Sequence, residues 1–308
     1  MSIFSFLQKE ESIDKVGNEV FSSTINESSE EYWDRINVTD HLKFKTVEES
    51  LDFFDWRCKA YNNYIECMPV HGYEGKVILD FGCGPGHDLI GFSHFSRPAQ
   101  LIGLDTSKTS LAEAHHRLKL HNFQATLIHT DEKLTILPFD DNSIDVIHSS
   151  GVLHHIKDPT PILKEFKRVL KPNGHIQIMV YNTNSLFYHL HVQYFQVFKN
   201  PEYAGLSLTQ AFQRSTDGPN CPVSRSYTDK EFLELSTKVG LTGSLFGCSI
   251  TLSELNLISS RTEALCDSKF PKASREFLYN LSFDNKGRPI HEGQIAGLGA
   301  CFHLTKTS

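Results

Sequence analysis

No apolar run in this 308-residue chain approaches the ~18–20 residues that a membrane-spanning helix needs. The first ten residues show neither a basic start nor a long apolar stretch, so no signal peptide is expected. Cys-x-x-Cys pairs are also missing. The seven cysteines are odd in number and scattered, a pattern that suggests reduced thiols and a cytoplasmic setting rather than a disulfide frame or a zinc site. Basic residues number 30 against 37 acidic ones, for a net charge of −7, and this argues against a dedicated nucleic-acid partner. Internal repeats and low-complexity segments are lacking as well. What remains, 39% hydrophobic and 22% charged residues, is ordinary globular composition. A chain this long can bury a sizeable core without staples.

Residues 1–40 are polar and rich in Ser, Glu and Asn, an arm with one expected helix near 30–36. From 46 to 68, Leu51, Phe54, Tyr61, Ile65 and Met68 recur at helical spacing, and Thr46 with Glu49 suits a capping box. These aromatics are either core or a lid over a pocket. The middle of the chain then alternates. Strands are expected at 76–81, 100–104, 125–129, 144–149 and 175–181, with helices at 89–95, 107–121 and 160–170. The turn Lys171-Pro172-Asn173-Gly174 closes the last of these helices. Such alternation predicts a parallel sheet covered on both faces, with ligands beyond the carboxyl ends of its strands. After Tyr181 the alternation stops. A helix at 228–240, a strand at 242–251, irregular helices over 253–283 and a strand at 296–305 complete the reading.

The run Val77-Ile78-Leu79-Asp80-Phe81-Gly82-Cys83-Gly84-Pro85-Gly86 carries the most information. Glycines at alternate positions after a strand permit positive φ and close ligand approach, and the helix that follows favours an anionic group. The third glycine comes one position too early for a dinucleotide fingerprint. The Lys-Ser/Thr of a phosphate-binding loop is missing. Asp105 ends the second strand, where an acid can accept both ribose hydroxyls of a nucleoside. Asp131 follows the third strand and could accept an adenine amine. Each acid alone reads as a solvated loop residue; three at successive strand ends beside a glycine loop point to a nucleoside ligand.

With these residues in place, the sequence resembles the class I S-adenosylmethionine-dependent methyltransferases. Asp80-Phe81-Gly82-Cys83-Gly84-Pro85-Gly86 resembles the family's first motif, and Leu101-Ile102-Gly103-Leu104-Asp105 its ribose-binding strand. The stretches 137–145 and Ser150-Gly151-Val152-Leu153-His154-His155 resemble the fourth-strand region, and Val169-Leu170-Lys171-Pro172-Asn173-Gly174 the turn before the fifth. The resemblance covers about residues 70–181. It implies an α/β fold: a doubly wound, mostly parallel seven-stranded sheet with an antiparallel last strand, plus helical N-terminal and post-strand-5 insertions. It divides the chain into an N-terminal lid (1–70), a cofactor core (71–181), an insertion over the active site (182–226) and a C-terminal sheet portion (227–308). It further implies S-adenosyl-L-methionine bound by Asp80, Gly82, Cys83, Gly84, Gly86, Asp105, Thr106, Thr130, Asp131, Glu132 and Ser150.

Methyl transfer from a sulfonium is an in-line displacement, so alignment of the acceptor dominates, often with a base for its proton. His154 and His155 follow the fourth strand; one of them could frame the cofactor and the other serve as base, with Tyr181 beside them. Asn182, Tyr188 and His189 are expected on the acceptor wall, although an aromatic helix face is equally a packing face. His189 and His191 diverge on a helix, so no metal site is expected. Arg214 and Arg225 flank a loop stiffened by Pro219 and Pro222. They either hold the loop's shape or grip an anionic acceptor bidentately. The Asn/Asp-Pro-Pro-Tyr/Phe run of base-methylating enzymes is replaced by Ser149-Ser150-Gly151-Val152. The expected activity is methyl transfer to a small-molecule N or O acceptor, with no nucleic-acid or membrane partner. A non-catalytic cofactor-binding regulator and another S-adenosylmethionine-using transferase are the alternatives.

Overall fold

In the computed structural model, which describes residues 28–36, 42–131 and 134–307, the alternating middle segment folds into one eight-stranded sheet. The strands are β1 (Tyr61–Asn62), β2 (Val77–Phe81), β3 (Gln100–Asp105), β4 (Thr126–His129), β5 (Ile144–Ser150), β6 (Leu170–Tyr181) and β7 (Leu241–Thr251). Three short strands, β8 (Ser282–Phe283), β9 (Pro289–His291) and β10 (Gln294–Ile295), pair in a ribbon of their own, and β11 (Gly299–Lys306) returns to the main sheet. The order across that sheet is β1-β7-β11-β6-β5-β2-β3-β4. Strands β2 to β6 pair in parallel, and β11 lies antiparallel between β6 and β7. The expected seven strands are present with their antiparallel last member. The eighth is the two-residue edge Tyr61–Asn62, too short to leave a period in the sequence.

Side chains alternate across each strand, so neighbours on β2 serve different cores. Ile78 packs with Phe92, Leu89 and Leu118 on one face, and Leu79 with Phe166, Ile147 and Leu163 on the other. The helices 47–60, 87–95 and 108–120 cover the first face. Thr160–Val169 covers the second, burying Ile162, Leu163, Phe166 and Val169 at helical spacing. Each such side chain contributes about 1.5–3 kcal/mol when fully buried. Thr46 caps the helix Val47–Ala60 by accepting from the Glu49 amide, but the expected capping box does not close, because Glu49 Oε2 accepts from the Lys45 amide (2.7 Å) instead.

Two segments differ from the reading. The turn at 171–174 does not interrupt β6: Ile144 pairs with Leu170 and Val146 with His175, so these residues bulge from a continuous strand. Gly174 sits where a Cβ would lie 2.7 Å from the Asp145 carbonyl, which requires glycine. The aromatic helix Phe187–Lys199 is of the wider π type. Among the described residues, no helix is long and apolar enough to cross a membrane.

Candidate cofactor and acceptor site

The carboxyl ends of β2 to β6 open on a cavity of about 560 Å³. At its base β2 passes through Gly82 and Gly84, with φ of 76° and 51°, into the helix His87–Phe95. The turn is pinned by the Gly82 and Cys83 amides, which donate to the Leu104 carbonyl at 2.7 and 3.1 Å. A Cβ on Gly82 would lie 2.2 Å from Val152 Cγ2. Asp105, at the end of β3, accepts from the Gly84 amide through Oδ2 (2.7 Å) and from the Ser107 amide through Oδ1 (2.8 Å). Burial raises the Asp105 pKa, and those amide bonds oppose the rise.

Asp80, Gly82, Cys83 and Gly84 line this cavity, as do Asp105 and Thr106. Thr130, Asp131 and Ser150 reach it from the ends of β4 and β5. Gly86 does not line it; at φ 79° it caps the helix and packs against Ala114. Glu132 lies outside the described residues.

A buried polar network beside the loop carries no local sequence signal. Asp88 bonds Arg57 Nη1 (3.0 Å), the Tyr64 hydroxyl (2.7 Å) and His148 Nε2 (3.1 Å). Burial alone would raise the Asp88 carboxyl, but Arg57 and His148 outweigh it and hold it well below the usual range. Asp80 differs: burial pushes its carboxyl up to about 7, against the opposing charge of His148. Asp88 is therefore committed to Arg57, while Asp80 is placed to receive a cation from the cavity. Arg57, Tyr64 and Asp88 come together from different helices, and only their packing reveals them.

On the acceptor side the two histidines separate. His155 lines the cavity; His154 does not. The His154 ring stacks on Tyr181 at 3.7 Å, and its Nδ1 accepts from the Tyr181 amide. Burial, then His155, holds His154 well below its ordinary pKa. His154 thus frames Tyr181 and is removed from contact with an acceptor. Tyr181 lines the cavity and donates its hydroxyl to Asp217 Oδ1 at 2.9 Å, while Ser224 donates to Oδ2 at 2.7 Å. His155 Nδ1 donates to the Val223 carbonyl (2.7 Å), and Trp33 lies against its ring at 4.7 Å. The helix Ser29–Arg35, which brings Trp33, is tied down at three points, one of them the Glu30–Lys108 ion pair (3.0 Å). The Tyr32 hydroxyl donates to the Asp217 carbonyl, and Asp34 accepts from the Thr109 amide (3.0 Å) and the Ser107 hydroxyl (2.9 Å).

The remaining expected acceptor residues do not line the cavity. Asn182 donates to the carbonyls of Asn184 and Gly297, closing the turn after β6. Tyr188 packs against Phe212. His189 stacks on Phe277 at 4.0 Å and bonds Ser274, and burial lowers its pKa to about 3. Arg214 covers the Tyr203 ring beside Glu202. Arg225 donates to the carbonyls of Ile156 and Lys157. The aromatic face of the π helix is a packing face, and both arginines hold loop shape. Within 182–226 it is Val223 that lines the cavity, with Asp217 directly behind Tyr181.

A doubly wound sheet with a glycine loop after β2 and an acid at the end of β3 suits a nucleoside ligand. Residues 79–178, the part of the chain that carries the glycine loop and Asp105, match the family described as "Methyltransferase domain". The chain is 35% identical over 108 residues to an uncharacterized methyltransferase of Schizosaccharomyces pombe, covering 32% of this chain and 37% of that protein. It is 31% identical over 139 residues to a ubiquinone biosynthesis O-methyltransferase of Alkalilimnicola ehrlichii, covering 40% of this chain and 55% of that one. The chain thus spans about half or less of the length of these curated relatives. In fold it is similar to the geranyl diphosphate C-methyltransferase of Streptomyces coelicolor, solved with S-adenosyl-L-homocysteine. There the TM-score is 0.51 at 12% identity, over 90% of this chain and 96% of that one. The site fits S-adenosylmethionine, the cofactor that the sequence resemblance implies. Asp105 lines the cavity at the end of β3, and Asp80 is a buried carboxyl that lines it beside the loop. A side chain at Gly82 would collide with Val152 beneath the loop.

Proposed function

We propose that this protein methylates a small-molecule acceptor at nitrogen or oxygen. The observation that carries the reading is the continuity of one cavity from Asp105 and Asp131 at one end to His155 and Tyr181 at the other. Bound S-adenosylmethionine supplies an electrophilic methyl group on a sulfonium. Asp105 would accept from the ribose hydroxyls, Asp131 from the adenine amine, and Asp80 would hold the ammonium. Trp33, Tyr61, Tyr181 and His155 wall the acceptor side, exclude water and orient the nucleophile. Lys157 also lines the cavity and is the cation placed to meet an anionic acceptor group, a role in which Arg214 and Arg225 have no support. All seven cysteines are free thiols, which supports a reducing, cytoplasmic setting.

Calorimetry with S-adenosylhomocysteine, followed by turnover on a metabolite library with detection of a 14-dalton mass gain, tests the proposal. Binding without any methylated product would favour the non-catalytic reading. Failure to bind would overturn the proposal itself.

A further inference from the structure

Among the described residues, His155, Asp217 and Cys221 form a group of three ligand-type side chains whose donor atoms all lie within 4.8 Å of one another. His155 lines the cavity; Asp217 and Cys221 are buried behind it, 3% and 2% exposed. We propose that these three residues bind a divalent zinc ion at the acceptor end of the cavity.

His155 Nε2 lies 3.8 Å from Asp217 Oδ1, and Cys221 Sγ lies 3.9 Å from His155 Nδ1, the other nitrogen of the ring. Metal–ligand bonds of about 2.0–2.3 Å place tetrahedral ligand atoms roughly 3.4–3.8 Å apart, so the set closes on one ion when Cys221 turns its Sγ from the Nδ1 side of the ring toward Nε2. Imidazole, thiolate and carboxylate together are donors that suit zinc better than magnesium or calcium.

A second observation is independent of the cluster's composition. A metal-bound histidine characteristically donates its other ring N–H to a carbonyl or carboxylate, and a metal-bound carboxylate is itself hydrogen-bonded. Here His155 Nδ1 donates to the Val223 carbonyl at 2.7 Å, which leaves Nε2 as the ligating atom. Tyr181 and Ser224 donate to the two oxygens of Asp217, and Tyr32 fixes its backbone carbonyl. The supporting shell of a metal site is thus already built around the ligands.

Binding forms a sulfur–zinc bond and releases the Cys221 thiol proton to solvent. Three protein ligands leave the fourth position for water or an acceptor heteroatom, the open arrangement of catalytic zinc. There the ion would polarise an acceptor hydroxyl, thiol or carboxylate and favour its deprotonated form. Ion binding stands on the three ligands alone; this role toward the acceptor rests on the methyl-transfer reading.

The test is titration of the chelator-treated full chain with cobalt(II), then zinc(II). One equivalent of cobalt should produce a thiolate-to-cobalt charge-transfer band and intense tetrahedral d–d absorption, both abolished by zinc. Cys221→Ser should remove the charge-transfer band, whereas Cys266→Ser, on the exposed helix 261–266, should leave it intact. Tyr181→Phe should weaken zinc binding about 10–100-fold through the lost bond to Asp217. Retained binding of S-adenosylhomocysteine shows that each variant is folded. If Cys221→Ser does not fold, Asp217→Asn replaces it, with at least tenfold weaker zinc binding expected. Absence of stoichiometric cobalt binding, or a charge-transfer band that survives Cys221→Ser, overturns the proposal. Zinc binding by a chain that does not bind S-adenosylhomocysteine would instead overturn the methyl-transfer reading and leave the metal site standing.

Discussion

Asp105 and Asp80 are both buried acids, yet their surroundings give them different work. Asp105 already accepts two backbone N–H bonds, so its position is fixed before a ligand arrives. Asp105→Ala should lose the ribose contacts, and hydrogen bonds to a charged group contribute about 1.5–3 kcal/mol each. Affinity for S-adenosylhomocysteine should therefore fall at least tenfold, as calorimetry would read. Asp80 is held near pH 7 by burial. Its pKa is higher in the folded than in the unfolded chain. The associated stability is fully present below about pH 4 and is lost as the pH rises through about 7. Asp80→Asn should accordingly raise the thermal midpoint of the ligand-free protein at pH 8 while weakening cofactor binding. For the wild type, affinity for the cofactor's ammonium should fall as the pH drops from 8 to 6, because Asp80 takes up a proton. A thermal midpoint lowered by Asp80→Asn at pH 8 would count against this account.

Among the elements, the seven-residue helix Ser29–Arg35 has the most leverage for its size. It cannot bury much by itself and is held by Asp34, Tyr32 and the Trp33–His155 contact. The Asp34 pKa is lowered, above all by the Thr109 amide bond. Its contribution to docking is therefore present above the ordinary carboxylate range and lost as the pH falls through its lowered value. Asp34→Ala should release the helix. We expect faster proteolysis around residues 28–36, red-shifted emission from Trp33, one of two tryptophans in the chain, and a several-fold higher acceptor KM. Unchanged proteolysis and emission would show that the helix is held without Asp34. The sequence announces this element only faintly, and the reason is physical. Its anchors are tertiary: Asp34 meets Ser107 and Thr109, and Tyr32 meets Asp217. The glycine loop and Asp105 were legible because a turn with positive φ and an acid at a strand end are written in a few adjacent residues. Arg57, Tyr64 and Asp88 were not, since 24 residues separate the Tyr64–Asp88 pair and 31 the Arg57–Asp88 pair. Asp217 reads in sequence as one more polar residue of the loop between Arg214 and Arg225, and only folding sets it behind Tyr181. Conversely, Tyr188 and His189 looked functional because an aromatic helix face bears the same pattern whether it lines a pocket or packs against another helix.

For the molecule as a whole, the cavity joins elements from 29 to 223, so ligand binding should stabilise more than the local loop. A ligand at 100 times its Kd contributes about 2.7 kcal/mol to the folded state. Scanning calorimetry should show the thermal midpoint rising by several degrees with saturating S-adenosylhomocysteine. Under the same conditions Asp105→Ala should show a much smaller shift. A shift of equal size in both proteins would place the ligand elsewhere.

The position of β11 bears on how the chain is made. The strand follows β7 to β10 in the chain, yet in the finished sheet it lies between β6 and β7, bonded to both. While residues 299–306 are still inside the ribosome, β6 and β7 have no partner between them, and each leaves a row of N–H and C=O groups exposed. Unpaired edges of this kind invite pairing with other chains. The nascent protein is thus most vulnerable just before this strand emerges, and its sheet closes in one late step that unites the cofactor half with the C-terminal half.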